Sequence, residues 1–264
     1  MSTFFEKINQ RQQAIASLLC VGLDPDPKKI PAEFLSQEQP VFAFNQMIID
    51  ATKDYACCYK PQFAHFAAAG AEAELATTID YIQALGIPVI LDAKRGDVGS
   101  TADFYASEAF DRYNADAVTV NPYMGSDSLK PFLERADKGI ILLCRTSNPG
   151  GADLQNLPLA SGEQLFERVA HLAANQWNSR GNVGLVVGAT RPEELARVRE
   201  ITGEMTLLLP GIGAQGGDIK ASLEAGQGGG LIVSASRSIL YPQATGPGQA
   251  AKTTRDEINR YHHA

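Results

Sequence analysis

The stretch IPVILDAKRGDVGST, residues 87–101, contains one complete structural unit. Its first half is apolar and rich in Val and Ile, as expected of a strand buried on both faces. Asp92, Lys94, Arg95 and Asp97 then fall within six positions, and a helical pattern takes over at Thr101. Strand, charged turn and helix make a βα unit. Charges set at the end of a buried strand are expensive unless paired, so their presence there needs a reason.

The same unit recurs along the chain. Apolar runs at 17–23, 55–60, 87–93, 116–122, 139–145, 183–189, 205–211 and 229–235 read as strands. Helical patterns lie at 41–53, 70–85, 101–113, 127–136, 162–179, 192–201, 217–225 and 248–262. Eight βα repeats in 264 residues match the size of a (β/α)8 TIM barrel, typically about 250 residues. A doubly wound open sheet is the competing architecture. No Pro- or Ser-rich linker and no shift in composition divides the chain, so residues 1–264 are expected to form a single domain. The irregular stretch SNPGGADLQNLPLASG, 147–162, reads as a functional loop.

Composition excludes several classes. A net charge of -7 with scattered Lys and Arg argues against a nucleic-acid binder, which neutralises phosphates with clustered cations. The opening MSTFFEKINQRQQ has no apolar core of a signal peptide, and no run approaches the roughly 18 apolar residues of a membrane helix. A cytoplasmic protein with no membrane partner is expected. Cys20, Cys57, Cys58 and Cys144 lie in apolar runs without a C-x-x-C spacing, which suits reduced core thiols. His65, His171, His262 and His263 show no metal-ligand or triad spacing.

Both candidate architectures bind ligands at the carboxyl ends of parallel strands. The unusual polar motifs sit there: GLDPD, YKPQ, LDAKRGD, NPY, RTSNPGG, PGIGAQGG and SASRS. Strand alternation sends Asp92 and Lys94 to the same side, which in a barrel is the interior. Lys60 ends the preceding strand and can reach Asp92 if the two strands are neighbours. Asp97, beyond Gly96, can fold back over the rim or reach a neighbouring subunit. Two cations and two anions sum to zero, so a structural salt-bridge network is one reading of the cluster, although buried pairs stabilise poorly. The other is a lysine that shelters and then protonates a carbanion. A Schiff-base role is less natural, because flanking carboxylates raise a lysine pKa.

Gly211, Gly213 and Gly216 form G-x-G-x-x-G, but the acid that a dinucleotide fold needs about 20 residues later is missing. In a barrel, the loops after the seventh and eighth strands commonly hold phosphate, and Arg237 is placed to add a charged contact. Asp24, Ser147 and Asn148 are either turn formers or ligand donors.

Taken together, LDAKRGDVGST, GLDP, YKPQ, TSNPGG, PGIGAQGGD and SASRS resemble the orotidine 5'-phosphate decarboxylases, in the right order from about residue 20 to 240. The likeness is strongest to the longer bacterial branch, which carries Arg and Gly between the Lys and the second Asp. The resemblance implies a homodimeric barrel that converts orotidine 5'-monophosphate to UMP and carbon dioxide with no metal or organic cofactor. It implies that Lys94 donates a proton to C6, Asp92 faces the departing carboxylate, and Lys60 and Asp97 complete the array, with Asp97 serving the partner's site. Asp24 and Lys60 are expected at the ribose, with Thr101 joining from the other subunit, and Ser147 at the pyrimidine. Gln215 and Arg237 are expected at the phosphate with the backbone of 211–217. Pro210 and Ser236 fall among the substrate contacts, and Val98, where Ile is common, belongs to the apolar wall. The competing readings are a magnesium-dependent phosphosugar decarboxylase or synthase, against which Lys60 argues, and a barrel that binds a nucleotide without catalysis.

Overall fold

The computed structural model describes residues 2–211 and 218–262. Eight parallel strands form one sheet: β1 (Leu19–Leu23), β2 (Cys58–Pro61), β3 (Ile90–Arg95), β4 (Ala117–Val120), β5 (Gly139–Arg145), β6 (Val183–Val187), β7 (Leu207–Pro210) and β8 (Leu231–Ala235). Their spatial order is β2-β1-β8-β7-β6-β5-β4-β3. Parallel bridges Tyr59↔Val89 and Gln62↔Asp92 join the two ends. The sheet therefore closes on itself, and with helices between the strands the architecture is the (β/α)8 barrel.

Alternation along each strand builds two separate apolar cores. Val21, Leu91, Leu142 and Val233 face outward and pack under the helices. Their immediate neighbours Cys20, Ile90, Ile141 and Ile232 face inward and fill the lower barrel. Two positions further along the same strands come Gly22, Asp92, Leu143 and Ser234, with Lys60 on β2 and Thr119 on β4 two positions beyond Cys58 and Ala117. A polar layer thus lies directly above an apolar one.

A helix at Phe4–Ile15, which the sequence reading did not anticipate, precedes β1. Thr3 and Glu6 form a capping box: Thr3 Oγ1 accepts from the Glu6 N–H at 3.3 Å and Glu6 Oε2 from the Thr3 N–H at 2.7 Å. Phe4 and Ile8 are its buried residues and join the inner core. A Cβ at Gly139 would overlap the Phe4 ring, and one at Gly184 would lie 3.1 Å from Phe5 Cζ. The glycines let this helix seal the amino-terminal end of the barrel.

Other departures are local. The segment expected at 55–60 as strand begins pairing only at Cys58, because Tyr55 and Ala56 still donate to the Thr52 carbonyl in the turn off the previous helix. The pattern at 70–85 is carried by the helix Glu72–Ala84, and a short helix that the sequence reading did not anticipate, Phe63–Ala68, precedes it across Gly70 with φ +64°. The helices at Gly99–Ser107 and Leu165–Leu172 each run on into a π-helical turn, Glu108–Arg112 and Ala173–Trp177. Among the described residues no helix is long and apolar enough to cross a membrane.

Candidate active site

The polar layer at the carboxyl end of the barrel centres on Asp92. Lys60 Nζ donates to its Oδ2 at 2.6 Å and Lys94 Nζ to its Oδ1 at 2.6 Å. The side chains of Lys60 and Asp92 are each 8% exposed, whereas that of Lys94 is 46% exposed. Burial opposes the charge on Asp92, but Lys60 and Lys94 outweigh it and hold the carboxyl well below the usual range. Burial likewise opposes the charge on Lys60, and the carboxylates of Asp92 and Asp24 outweigh it and hold the ammonium above the ordinary lysine range. The result is a triad built on a buried Lys60–Asp92 ion pair, with the Lys94 side chain bridging from Asp92 to open space.

Local backbone geometry aims that cation. The pairing of β3 with β4 slips between Leu91 and Arg95, and Lys94 sits at φ +48°, a region that non-glycine residues seldom occupy. The Lys94 N–H donates to Thr119 Oγ1 at 2.9 Å, and Thr119 Oγ1 donates to Asp92 Oδ1 at 2.9 Å. Arg95 points the other way. Its Nε and Nη2 donate to Glu108 at 2.8 and 3.0 Å, and its guanidinium lies 4.2 Å from the Phe63 ring centroid and 4.8 Å from that of Tyr105. The turn is anchored outside the barrel while Lys94 returns inward.

Asp24, after β1, has a buried Oδ1 with no hydrogen-bond partner, and its charge acts on Lys60. Such an oxygen is suited to a ligand hydroxyl. Asp97 is not part of the triad within one chain. Its Oδ1 accepts from the Val98 N–H at 2.8 Å, its carbonyl accepts from Ser128 Oγ, and it forms no ion pair with a described residue. Val98 and Thr101 follow it on the surface, Val98 being 54% exposed.

Ser147 follows β5 and packs against β6: a Cβ at Gly188 would lie 2.7 to 2.9 Å from its N, Cα and Cβ atoms. Beside it, buried Arg145 binds Glu194 at 2.7 Å and the Thr146 carbonyl at 2.6 Å, and Gln155 Oε1 accepts from the Thr146 N–H at 2.8 Å. Pro210 ends β7 in register with Ser234. Ser236 has a buried Oγ with no hydrogen-bond partner, and a Cβ at Gly22 would lie 2.9 Å from its Cβ. Arg237 opens the short helix Arg237–Leu240, exposed and in no ion pair with a described residue. Gln215, with Gly213 and Gly216, lies outside the described residues.

The structure therefore brings Lys60, Asp92 and Lys94 into contact, ranges Asp24, Ser147, Pro210, Ser236 and Arg237 at the strand ends, and leaves Asp97, Val98 and Thr101 on the adjoining surface. Thr119 was missed by the sequence reading. In the structure it stands two residues beyond inward-facing Ala117, an orientation that the run AVTV does not reveal by itself. Among the described residues no cluster of three or more His, Cys, Asp or Glu is arranged to hold a metal ion.

Comparison with known proteins places this geometry in context. Residues 17–254 match the model of the orotidine 5'-phosphate decarboxylase / HUMPS family. The chain is 58% identical over 255 residues to an orotidine 5'-phosphate decarboxylase of Aromatoleum aromaticum, covering 93% of this chain and 94% of that protein. Among solved structures, a Leishmania donovani OMP decarboxylase superposes with a TM-score of 0.86 at 46% identity, covering 98% of each chain. A Leishmania donovani UMP synthase gives 0.89 at 47% identity over 99% of this chain, which spans 57% of that one.

Proposed function

The chain belongs to the orotidine 5'-phosphate decarboxylase / HUMPS family, and from this premise we propose how its triad performs the reaction. The reaction itself is the decarboxylation of orotidine 5'-monophosphate to UMP in pyrimidine biosynthesis. Arg237, with Gln215 and the backbone of 211–217, grips the phosphate. Asp24 and Lys60 hold the ribose, Ser147 the pyrimidine, and Pro210, Ser236 and Val98 line the pocket. This remote binding brings the substrate carboxylate against Asp92. The bond from C6 to the carboxylate carbon breaks, its electron pair stays on C6, and carbon dioxide leaves. The Lys94 ammonium is then the nearest counter-charge to the carbanion and transfers a proton to C6.

The observation that carries this reading is that both oxygens of Asp92 are taken by ammonium groups at 2.6 Å, one buried and one open to the mouth. A divalent cation has no favourable place beside two ammoniums, which supports a reaction without metal; the charged lysine also suits stabilisation of the carbanion without an organic electron sink. Asp97 and Thr101 share a turn and helix with exposed Val98 and Phe104, and a Cβ at Gly96 would lie 3.3 Å from Met124 Cε; these exposed apolar side chains support a homodimer in which each chain lends Asp97 and Thr101 to its partner's site. The four thiols are buried and free, which supports a reducing compartment, the cytoplasm. We read residues 1–264 as one domain.

The test is the absorbance change of orotidine 5'-monophosphate with purified protein in EDTA. Turnover is expected to persist in EDTA and to collapse in Lys94→Ala; near-wild-type turnover of that variant rules the assignment out. Absence of orotidine 5'-monophosphate turnover beside a magnesium-dependent reaction of a phosphosugar would favour the phosphosugar reading. Mixing Lys94→Ala with Asp97→Ala should restore turnover if sites are shared, because a heterodimer then holds one intact site.

A further inference from the structure

We propose that Thr119 is a positioning residue for the decarboxylation, its hydroxyl setting the Lys94 ammonium and the Asp92 carboxylate in the relation that the reaction requires. The inference rests on the roles assigned to those two residues above. The side chain of Thr119 projects into the polar layer from β4 and is 1% exposed. Its two hydrogen bonds have fixed directions. An amide N–H can only donate, so the oxygen must accept from Lys94 N at 2.9 Å; the hydroxyl proton is then left for Asp92 Oδ1, also at 2.9 Å.

These bonds fall where the pairing of β3 with β4 slips, so a side-chain oxygen receives the N–H of a residue lying between the paired positions Leu91 and Arg95. On the far side of Lys94, the Asn121 N–H donates to the Arg95 carbonyl at 2.8 Å. β4 therefore holds Lys94 from both directions, and this keeps a non-glycine residue at φ +48°. The same hydroxyl holds the Asp92 oxygen that receives Lys94 Nζ at 2.6 Å. One small group thus fixes both the backbone that carries the proton donor and the carboxylate against which the donor rests.

Thr119→Val keeps the shape and removes the oxygen. Loss of a buried hydrogen bond to a charged group corresponds to a rate loss on the order of 10- to 100-fold. That loss is expected in kcat, while KM and the Kd for UMP, read by calorimetry, stay within roughly twofold, since ligand contacts are untouched. Thr119→Ser retains the oxygen and should recover most of the rate. Wild-type kcat in folded Thr119→Val overturns the proposal, as does Thr119→Ser falling as far as Thr119→Val. Should the Val variant fail to fold, Thr119→Ala takes its place, and equal kcat in the Ala and Ser variants overturns the proposal. Lys94→Ala is assayed alongside. Turnover in that variant would sink the reading of the site itself, whereas its inactivity beside fully active Thr119→Val and Thr119→Ala would sink this inference alone.

Discussion

Replacing Asp92 with Asn removes one negative charge from the barrel and leaves the shape of the side chain intact. Lys60 then remains buried, its side chain 8% exposed, facing an amide where a carboxylate stood 2.6 Å away. Removing one partner of a buried pair costs about 3–5 kcal/mol, most of it the penalty of the stranded charge. The bond to Lys94 adds little, because that side chain is 46% exposed and water can replace the carboxylate, roughly 0–1 kcal/mol. Asp24 is the complication. Its charge already acts on Lys60, and its buried Oδ1 has no hydrogen-bond partner, so it can take over part of the lost role. Asp92→Asn is thus expected to lose about 3 kcal/mol, the low end of the range. Asp92→Asn with Asp24→Asn should lose more than the sum of the single changes by at least ~1 kcal/mol, the signature of two groups sharing one partner. Urea unfolding followed by circular dichroism and by the fluorescence of buried Trp177 measures both. A double variant within about 1 kcal/mol of the wild type would show that Lys60 is not held as a buried charge, and the electrostatic account of the triad would fail with it.

Three further outcomes follow from the geometry. The depressed carboxyl of Asp92 contributes stability that is complete above its unfolded pKa of about 3.9 and is lost as pH falls through the folded value; the raised ammonium of Lys60 contributes below about 10.4 and is lost as pH rises through its folded value. Between these limits both charges are constant, so stability measured by urea unfolding should show no step from either group between about pH 5 and 9; a step there that vanishes in Asp92→Asn would contradict the assignment. Gly188→Ala drives a methyl to within 2.7 Å of Ser147 N, and should raise KM for orotidine 5'-monophosphate and cost about 1–3 kcal/mol of stability, checked by steady-state kinetics and urea unfolding. All four free thiols are buried, and burial pushes that of Cys144 up to about 12 and raises that of Cys58; closed off from solvent, none of the four should react with a thiol reagent at pH 8 until the protein unfolds. Rapid native labelling would mean that the barrel opens.

The strands were legible because a parallel sheet covered on both faces demands unbroken apolar runs, and 139–145 was read residue for residue. Helix ends were less legible. The π turns at Glu108–Arg112 and Ala173–Trp177 continue a helical hydrophobic pattern with a different hydrogen-bond ladder, which periodicity cannot separate. The first helix escaped because Phe4 and Ile8 are its buried residues, too few for a stripe; its Thr3 and Glu6 capping pair was the usable sign. In the site, Lys60, Asp92 and Lys94 were legible because charge at a strand end is conspicuous. Thr119 was not, since a β-branched residue inside AVTV is what any strand contains. Arg145, inside the strand-end motif RTSNPGG, lies buried against Glu194 and outside the triad, because the pairing of β5 with β6 shifts between Leu143 and Arg145, which the sequence does not show.

The amino-terminal plug has a consequence at the opposite end of the molecule. With Phe4 and Phe5 packed across its base, the barrel keeps the Cys20, Ile90 and Ile232 tier under Asp92 wholly out of contact with solvent. Were that stopper removed, moisture seeping upward would raise the local permittivity and slacken the pull between Asp92 and its two ammoniums, although no atom of the mouth had been altered. The strength of the ionic grip is thereby underwritten by aromatic rings on a segment that never meets the reactants.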